Sequence, residues 1–283
     1  MNKFTALLKK DYFVNRKSLL TPFWITAVFY ILIILFLTIG YFKGDLNFGD
    51  LRFEGENIPM PGLAFLINIG LLTLPGFIAL LFTITITQGA LNEDLRRNCE
   101  LFHRSQPVSY WLRSLSKFTI RIGGNWAVLL IIAIFNFIIV NIIVAFLGQF
   151  HPGAALSGMM LSFLGFAKIT LIIGSMTFFL SSVFKDKAFF TGLGILLGVH
   201  FLFLILNALL GWKLPLPFNY FIDLTKSGYE LDIHGEQELA NFHGMAKEMW
   251  KYAIWNVKTL WQILVSGVFF ALATLIYNSK EVK

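Results

Sequence analysis

The sequence predicts an all-α, polytopic membrane protein with six transmembrane helices, on three observations. Charged residues make up 14% of the 283-residue chain and hydrophobic residues 57%, whereas soluble domains carry about 25% charge. Five long runs hold no Asp, Glu, Lys or Arg: residues 18–42, 57–92, 122–167, 188–212 and 259–279. Each covers the roughly 20 apolar residues that cross a hydrocarbon core. The basic residues are also unevenly shared between the two sides of the spans, fifteen against seven, with Lys168 inside one.

The elements follow in order. Phe4, Leu7, Leu8 and Tyr12 recur at helical spacing among Lys9, Lys10, Arg16 and Lys17, as in a helix lying in the membrane interface. A disordered basic tail is the alternative. The first span is 21–42, with Pro22 tolerated in its first turn, and a loop, 43–61, follows. The second span, 62–88, holds Pro75-Gly76 midway, which predicts tilt or a kink. The apolar region 122–184 is too long for one crossing. Gln149-Phe150-His151-Pro152-Gly153 divides it into spans 121–147 and 155–184. Lys185-Asp186-Lys187 makes a tight turn into the fifth span, 188–210. A loop, 211–257, opens on Leu214-Pro215-Leu216-Pro217 and is rich in Trp and Tyr, which favour headgroup depth. Within it Leu239, Phe242, Met245, Ala246 and Met249 predict an amphipathic helix over 236–256. The last span is 258–278. The chain reads as one transmembrane domain without repeats.

The positive-inside rule puts both termini and the stretch 90–117 in the cytosol and loop 211–257 outside. The net charge of +7 then marks topology and anionic headgroups rather than nucleic acid. The lone Cys99 excludes an intramolecular disulfide. The first apolar run is span-length, unlike the short core of a cleavable signal peptide.

The most polar stretch, 90–117, lies between two long apolar runs. Leu95, Cys99 and Phe102 fall at i, i+4 and i+7 on one helical face, with Arg96, Arg97, Glu100 and Arg104 on the others. Arg97-Asn98-Cys99-Glu100-Leu101-Phe102 followed by Ser105-Gln106-Pro107-Val108-Ser109 resembles the segment after the second span of type-2 ATP-binding cassette permeases, the membrane subunits of bacterial exporters. Where that family has Gly-Thr before the glutamate, this chain has Asn98-Cys99. The resemblance implies a cytosolic coupling helix docked on an ATPase subunit, with Leu95, Glu100, Leu101, Phe102, Arg104 and Pro107 at the contact. It likewise implies an N-terminal elbow helix carrying Phe4, Leu7, Leu8, Lys9 and Lys10. The implied partners are two ATPase copies and a second permease, identical or related. No G-x-x-x-x-G-K-[ST] loop occurs, so ATP and Mg are expected on the partner chain, and no cofactor or enzymatic activity is expected here.

Lys168 falls near the middle of the fourth span, where an ammonium normally faces a bundle interior or a watery cavity. Asn136 and His200 join it as candidates for a translocation path. Asn68, Asn141 and Asn207 fit hydrogen bonds between helices. Gly40, Gly70, Gly123, Gly124, Gly165 and Gly174 fit close helix packing, and the 123–124 pair fits a bend. His234, Glu236, Glu238 and His243 could gather a metal in the external loop, but match no H-E-x-x-H spacing, and a solvated surface is the plainer reading. Two rival classes stand beside an exporter subunit. A non-transporting anchor or assembly partner of a periplasmic machinery needs only the spans. An intramembrane enzyme needs clustered acids or histidines, and the predicted spans hold one histidine and no Asp or Glu. Lipids, glycans, peptides, drugs and ions all fit as cargo.

Overall fold

The computed structural model describes residues 3–43, 60–93, 108–146, 151–226 and 242–279. These form helices α1 (Lys3–Lys43), α2 (Met60–Thr87) and α3 (Tyr110–Phe118), then a π-helical turn (Thr119–Gly123) leading into α4 (Gly124–Phe146). There follow α5 (Pro152–Val183), α6 (Ala188–Leu210), α7 (Pro217–Thr225), α8 (Phe242–Ile254) and α9 (Val257–Ser279), with no strand among the described residues. Six helices are long and apolar enough to cross a membrane. The chain is a multi-pass membrane protein.

α5 is the axis of the bundle. It packs against α2, α4, α6, α8 and α9. Half of its most apolar stretch is buried, against none of α6 and little of α1. The outer helices turn Ile31, Ile34, Phe36, Phe201 and Leu209 outward. Apolar surface of that extent is unstable in water and ordinary against acyl chains. The α2–α5 contact is close because Gly158 has no side chain: a Cβ there would meet the backbone carbonyl of Phe65. Around that contact Phe65, Ala154 and Leu161 pack on Ala246, Met249 and Ala253 of α8.

Pro75 shows how the fold repairs a helix breaker. Lacking an N–H, it leaves the carbonyl of Leu71 without its i+4 donor. Tyr30 Oη donates to that oxygen at 3.1 Å and Asn136 Nδ2 at 3.4 Å. The two side chains come from α1 and α4, so the repair also ties three helices together.

Several boundaries differ from the sequence expectation. α1 continues through Pro22 as a single helix, so residues 3–20 are not a separate elbow. Its lower half is held in line by tertiary contacts: Leu19 packs over Gly124, and Asp11 accepts a hydrogen bond from Ser116. The third span begins at Tyr110 rather than 121, because Lys117 and Arg121 are buried against neighbours instead of solvated. Loop 211–257 contains α7, which its Leu-Pro opening did not suggest, and α8 is the described part of the amphipathic helix expected over 236–256. A break at Trp255-Asn256 joins α8 to α9, and Asn256 Oδ1 accepts the Lys258 N–H at 3.0 Å as the cap of α9.

Candidate functional site

At one end of the bundle, here termed the foot, the ends of α2, α5 and α9 meet α3 and the first turns of α1. The turn after α2 buries Ala90 and Leu91 completely, against Phe178 of α5 and Ala273 and Tyr277 of α9. Phe118, Phe178 and Phe270 form an aromatic wedge there, with ring centroids 5.0 to 6.1 Å apart. Both described ends of the chain, α1 and α9, lie at this foot, since Asp11 bonds Ser116 and Tyr277 stacks beneath Lys117.

Asn92 latches the turn to the end of α5. Its Nδ2 donates to the carbonyls of Ser181 at 2.8 Å, Phe184 at 2.9 Å and Lys185 at 3.4 Å. Carbonyls at a helix C-terminus lack intrahelical donors, and one buried amide serves three of them. Asn92→Ala should lower the melting temperature of the purified protein in detergent, by a loss of about 1–3 kcal/mol for the orphaned acceptors. Asn92→Asp should be worse, since a carboxylate offers those carbonyls no donor. Equal melting of all three proteins would remove the latch from the account.

Next to Asn92, the Glu93 carboxylate pairs with Arg121 Nη2. The Arg121 side chain is 3% exposed and that of Glu93 21%. Arg121 stands in the π-helical turn, whose extra residue shifts the face that the rest of the helix presents. One turn earlier, Lys117 Nζ donates to the Ala90 carbonyl at 3.3 Å and lies 5.7 Å above the Tyr277 ring. Ser116 Oγ donates to Asp11 Oδ2 at 2.5 Å, joining α1 to α3. Arg113 Nη2 donates to the Val108 carbonyl at 2.8 Å and staples the entry to α3. Beside it opens a cleft of about 260 Å³ lined by Val108, Ser109, Tyr110, Arg113, Tyr277 and Asn278.

Two acids and two bases, Asp11, Glu93, Lys117 and Arg121, are thus drawn into one end of the bundle. Buried charges persist when paired and hydrogen-bonded, and resist displacement because separation strands a charge. Of the described residues bordering 94–107, Glu93 is tied into it through Arg121, and Val108 is held separately by Arg113 of α3.

The residues expected from the sequence are distributed unevenly around this foot. Leu95, Glu100, Leu101, Phe102, Arg104 and Pro107 lie outside the described residues, as do His234, Glu236 and Glu238. His243 lies in the first turn of α8. Phe4, Leu7, Leu8 and Lys10 are half-buried on α1, with Lys9 exposed. Lys168, Asn136 and His200 are not brought together. Lys168 reaches α9, Asn136 serves Leu71 of α2, and His200 of α6 packs edge-on against Phe218 of α7. Asn68 and Asn141 bond carbonyls of their own helices, and Asn207 bonds Leu214 in both directions. Of the glycines, 124 and 174 do sit at close contacts, while Gly70 faces open space.

Sequence reasoning missed Asp11, Glu93, Lys117 and Arg121 as a set. Asp11, the one acid in the first 44 residues of a basic helix, was a usable signal, and so was the i, i+4 spacing of Lys117 and Arg121. Comparison with protein-family models, curated proteins and solved structures finds no match to this chain.

Proposed function

We propose that this chain is the membrane-spanning permease of an ATP-driven exporter, with the foot as the seat of a separate ATPase subunit. The observation that carries this reading is the anchoring of segment 94–107. One border, Glu93, is paired with the buried Arg121 of the π-helical turn, the other, Val108, is held by Arg113 at the entry to α3, and the segment itself carries the permease-like residues. A coupling element needs just such a connection, because a partner can shift an equilibrium only through contacts that differ between two states. On this reading the foot is cytosolic, both termini are cytosolic, and the protein resides in the inner (plasma) membrane. ATP and Mg are held by the partner, of which two copies act on a pair of permeases, identical or related. The network converts movement of the docked segment into relative movement of α5, α9 and α1.

The test is capture of the partner. With its native operon expressed, affinity purification in mild detergent should recover an ATP-binding subunit in fixed ratio. Phe102→Ala, and Leu101→Ala with it, should weaken that association about 30-fold, as truncating a packed interface anchor does. Arg104→Ala should act mainly on the association rate. All variants should reach the membrane in normal amounts, since none of these residues lies in a span. Repeated recovery of the protein alone, or wild-type association by the Leu101→Ala/Phe102→Ala double variant, would sink the reading.

A further inference from the structure

Lys168 occupies the middle of α5, but the middle of α5 is not the middle of a bilayer. At 32 residues α5 is about 48 Å long, well beyond the roughly 30 Å of a hydrocarbon core. The depth of the amine is better read from what it touches. Lys168 Nζ donates to Thr259 Oγ1 at 3.0 Å, in the first turn of α9. α9 has 23 residues and spans about 35 Å from the foot, so its first turn lies one bilayer thickness away. Exposed tryptophans mark that level: Trp255 at 84% and Trp261 at 60% flank the α8–α9 break, and Trp212 follows the far end of α6. Indoles exposed in this way sit at headgroup depth. The ammonium therefore reaches the headgroup region opposite the foot.

Among the described residues no carboxylate pairs with this ammonium. Thr259 is the hydrogen-bond partner of Lys168 among the described residues, which leaves two of its three N–H donors for another acceptor. Asp223 is adjacent in sequence to Leu224, whose carbonyl Gln262 holds at 2.8 Å, and it is paired with Lys226 at 3.6 Å. Lys258 adds a second positive side chain beside Thr259. From this point towards the foot, α9 exposes Leu260, Ile263, Leu264 and Val268. A positive seat at headgroup depth above an apolar track is complementary to one chemical class.

We infer that Lys168 and Thr259, at the α8–α9 break, bind the phosphate of an anionic phospholipid whose acyl chains lie along the exposed face of α9. Thr259 orients the ammonium, Lys258 adds field, and the indoles border the headgroup. This site goes beyond the exporter reading and does not require it. If that reading holds, the same seat receives the headgroup of an anionic amphiphilic cargo at the end of the pathway opposite the ATPase.

The experiment uses the full chain in phosphatidylcholine nanodiscs doped with brominated phosphatidylglycerol or, separately, brominated phosphatidylcholine. Bromine quenches nearby indoles, and the signal of Trp255 and Trp261 is obtained by difference from a Trp255→Phe/Trp261→Phe variant. Brominated phosphatidylglycerol should quench at a mole fraction about fivefold lower than brominated phosphatidylcholine, the scale of one lysine meeting an anionic lipid. Lys168→Met and Lys168→Gln should abolish that preference, and Lys168→Arg should keep most of it. Equal quenching by the two lipids, or full preference in both neutral variants, would overturn the site. Inorganic phosphate should not displace the lipid; full displacement would make this a seat for free anions and overturn the lipid assignment. No ATPase enters the measurement, so its failure leaves the exporter reading untouched, and failure to capture an ATPase leaves this site standing.

Discussion

Glu93→Leu should destabilise the purified protein more than Arg121→Met, and the two changes together should cost less than either would suggest. The reason is their unequal exposure. Arg121 is sealed at 3% exposure, so losing Glu93 takes a counter-charge from a guanidinium that cannot shed its own. Glu93, at 21%, can turn to water when Arg121 is lost. Removing one partner of a buried pair costs roughly 3–5 kcal/mol, whereas replacing both by apolar groups is often close to neutral. Thermal unfolding in one detergent across the four proteins gives the coupling energy directly. Additive losses would mean that the ion pair contributes nothing of its own to the foot. The same series bears on function under the proposed reading: the double variant should fold yet transmit poorly, since apolar packing supplies no directional link between segment 94–107 and the π-helical turn.

The second large effect is expected at Gly158. A Cβ at this position would meet the Phe65 carbonyl oxygen, with the carbonyl carbon at 3.1 Å and Cα at 3.2 Å. These are backbone atoms and cannot rotate aside, so the helices must separate. Overpacking of this kind costs about 1–3 kcal/mol and occasionally more. The loss falls on the contact that also seats α8 through Phe65, Ala154 and Leu161. Gly158→Ala should reduce both melting temperature and membrane abundance, and Gly158→Leu should largely abolish accumulation. Gly70 is the internal control: it lies in α2 with nothing within 4 Å of its would-be Cβ. Gly70→Ala should therefore match or exceed wild type, because alanine favours the helix by about 1 kcal/mol where nothing obstructs it. Similar behaviour of the two alanine variants would show that α2 and α5 are not in close contact at Phe65.

The sequence alone was enough to determine the fold class, the number of spans and most of their ends. Spans 188–210 and 258–278 fall within a residue of α6 and α9. Crossing a bilayer is a demand on local composition and run length, and both can be counted along the chain. Only the tertiary structure decided what the polar residues do. Lys117 and Arg121 read locally as flanking charges that mark a membrane edge. They become buried partners because α1 brings Asp11 to Ser116 across 105 residues and the turn after α2 brings Glu93 to Arg121. Pro22 reads as a helix start, yet α1 passes through it because Leu19 and Asp11 are held from outside the helix. Asn136 reads as a pathway residue, but its amide is used on the carbonyl that Pro75 leaves bare. Lys168 reads as a mid-bilayer charge, and its depth emerges only from its contact with the first turn of α9. In each case the burial or pairing of a polar group depends on which distant helix lies opposite it. That is set by close approach at residues such as Gly158 and by the phase shift of one π-helical turn, neither of which the hydropathy of a span records.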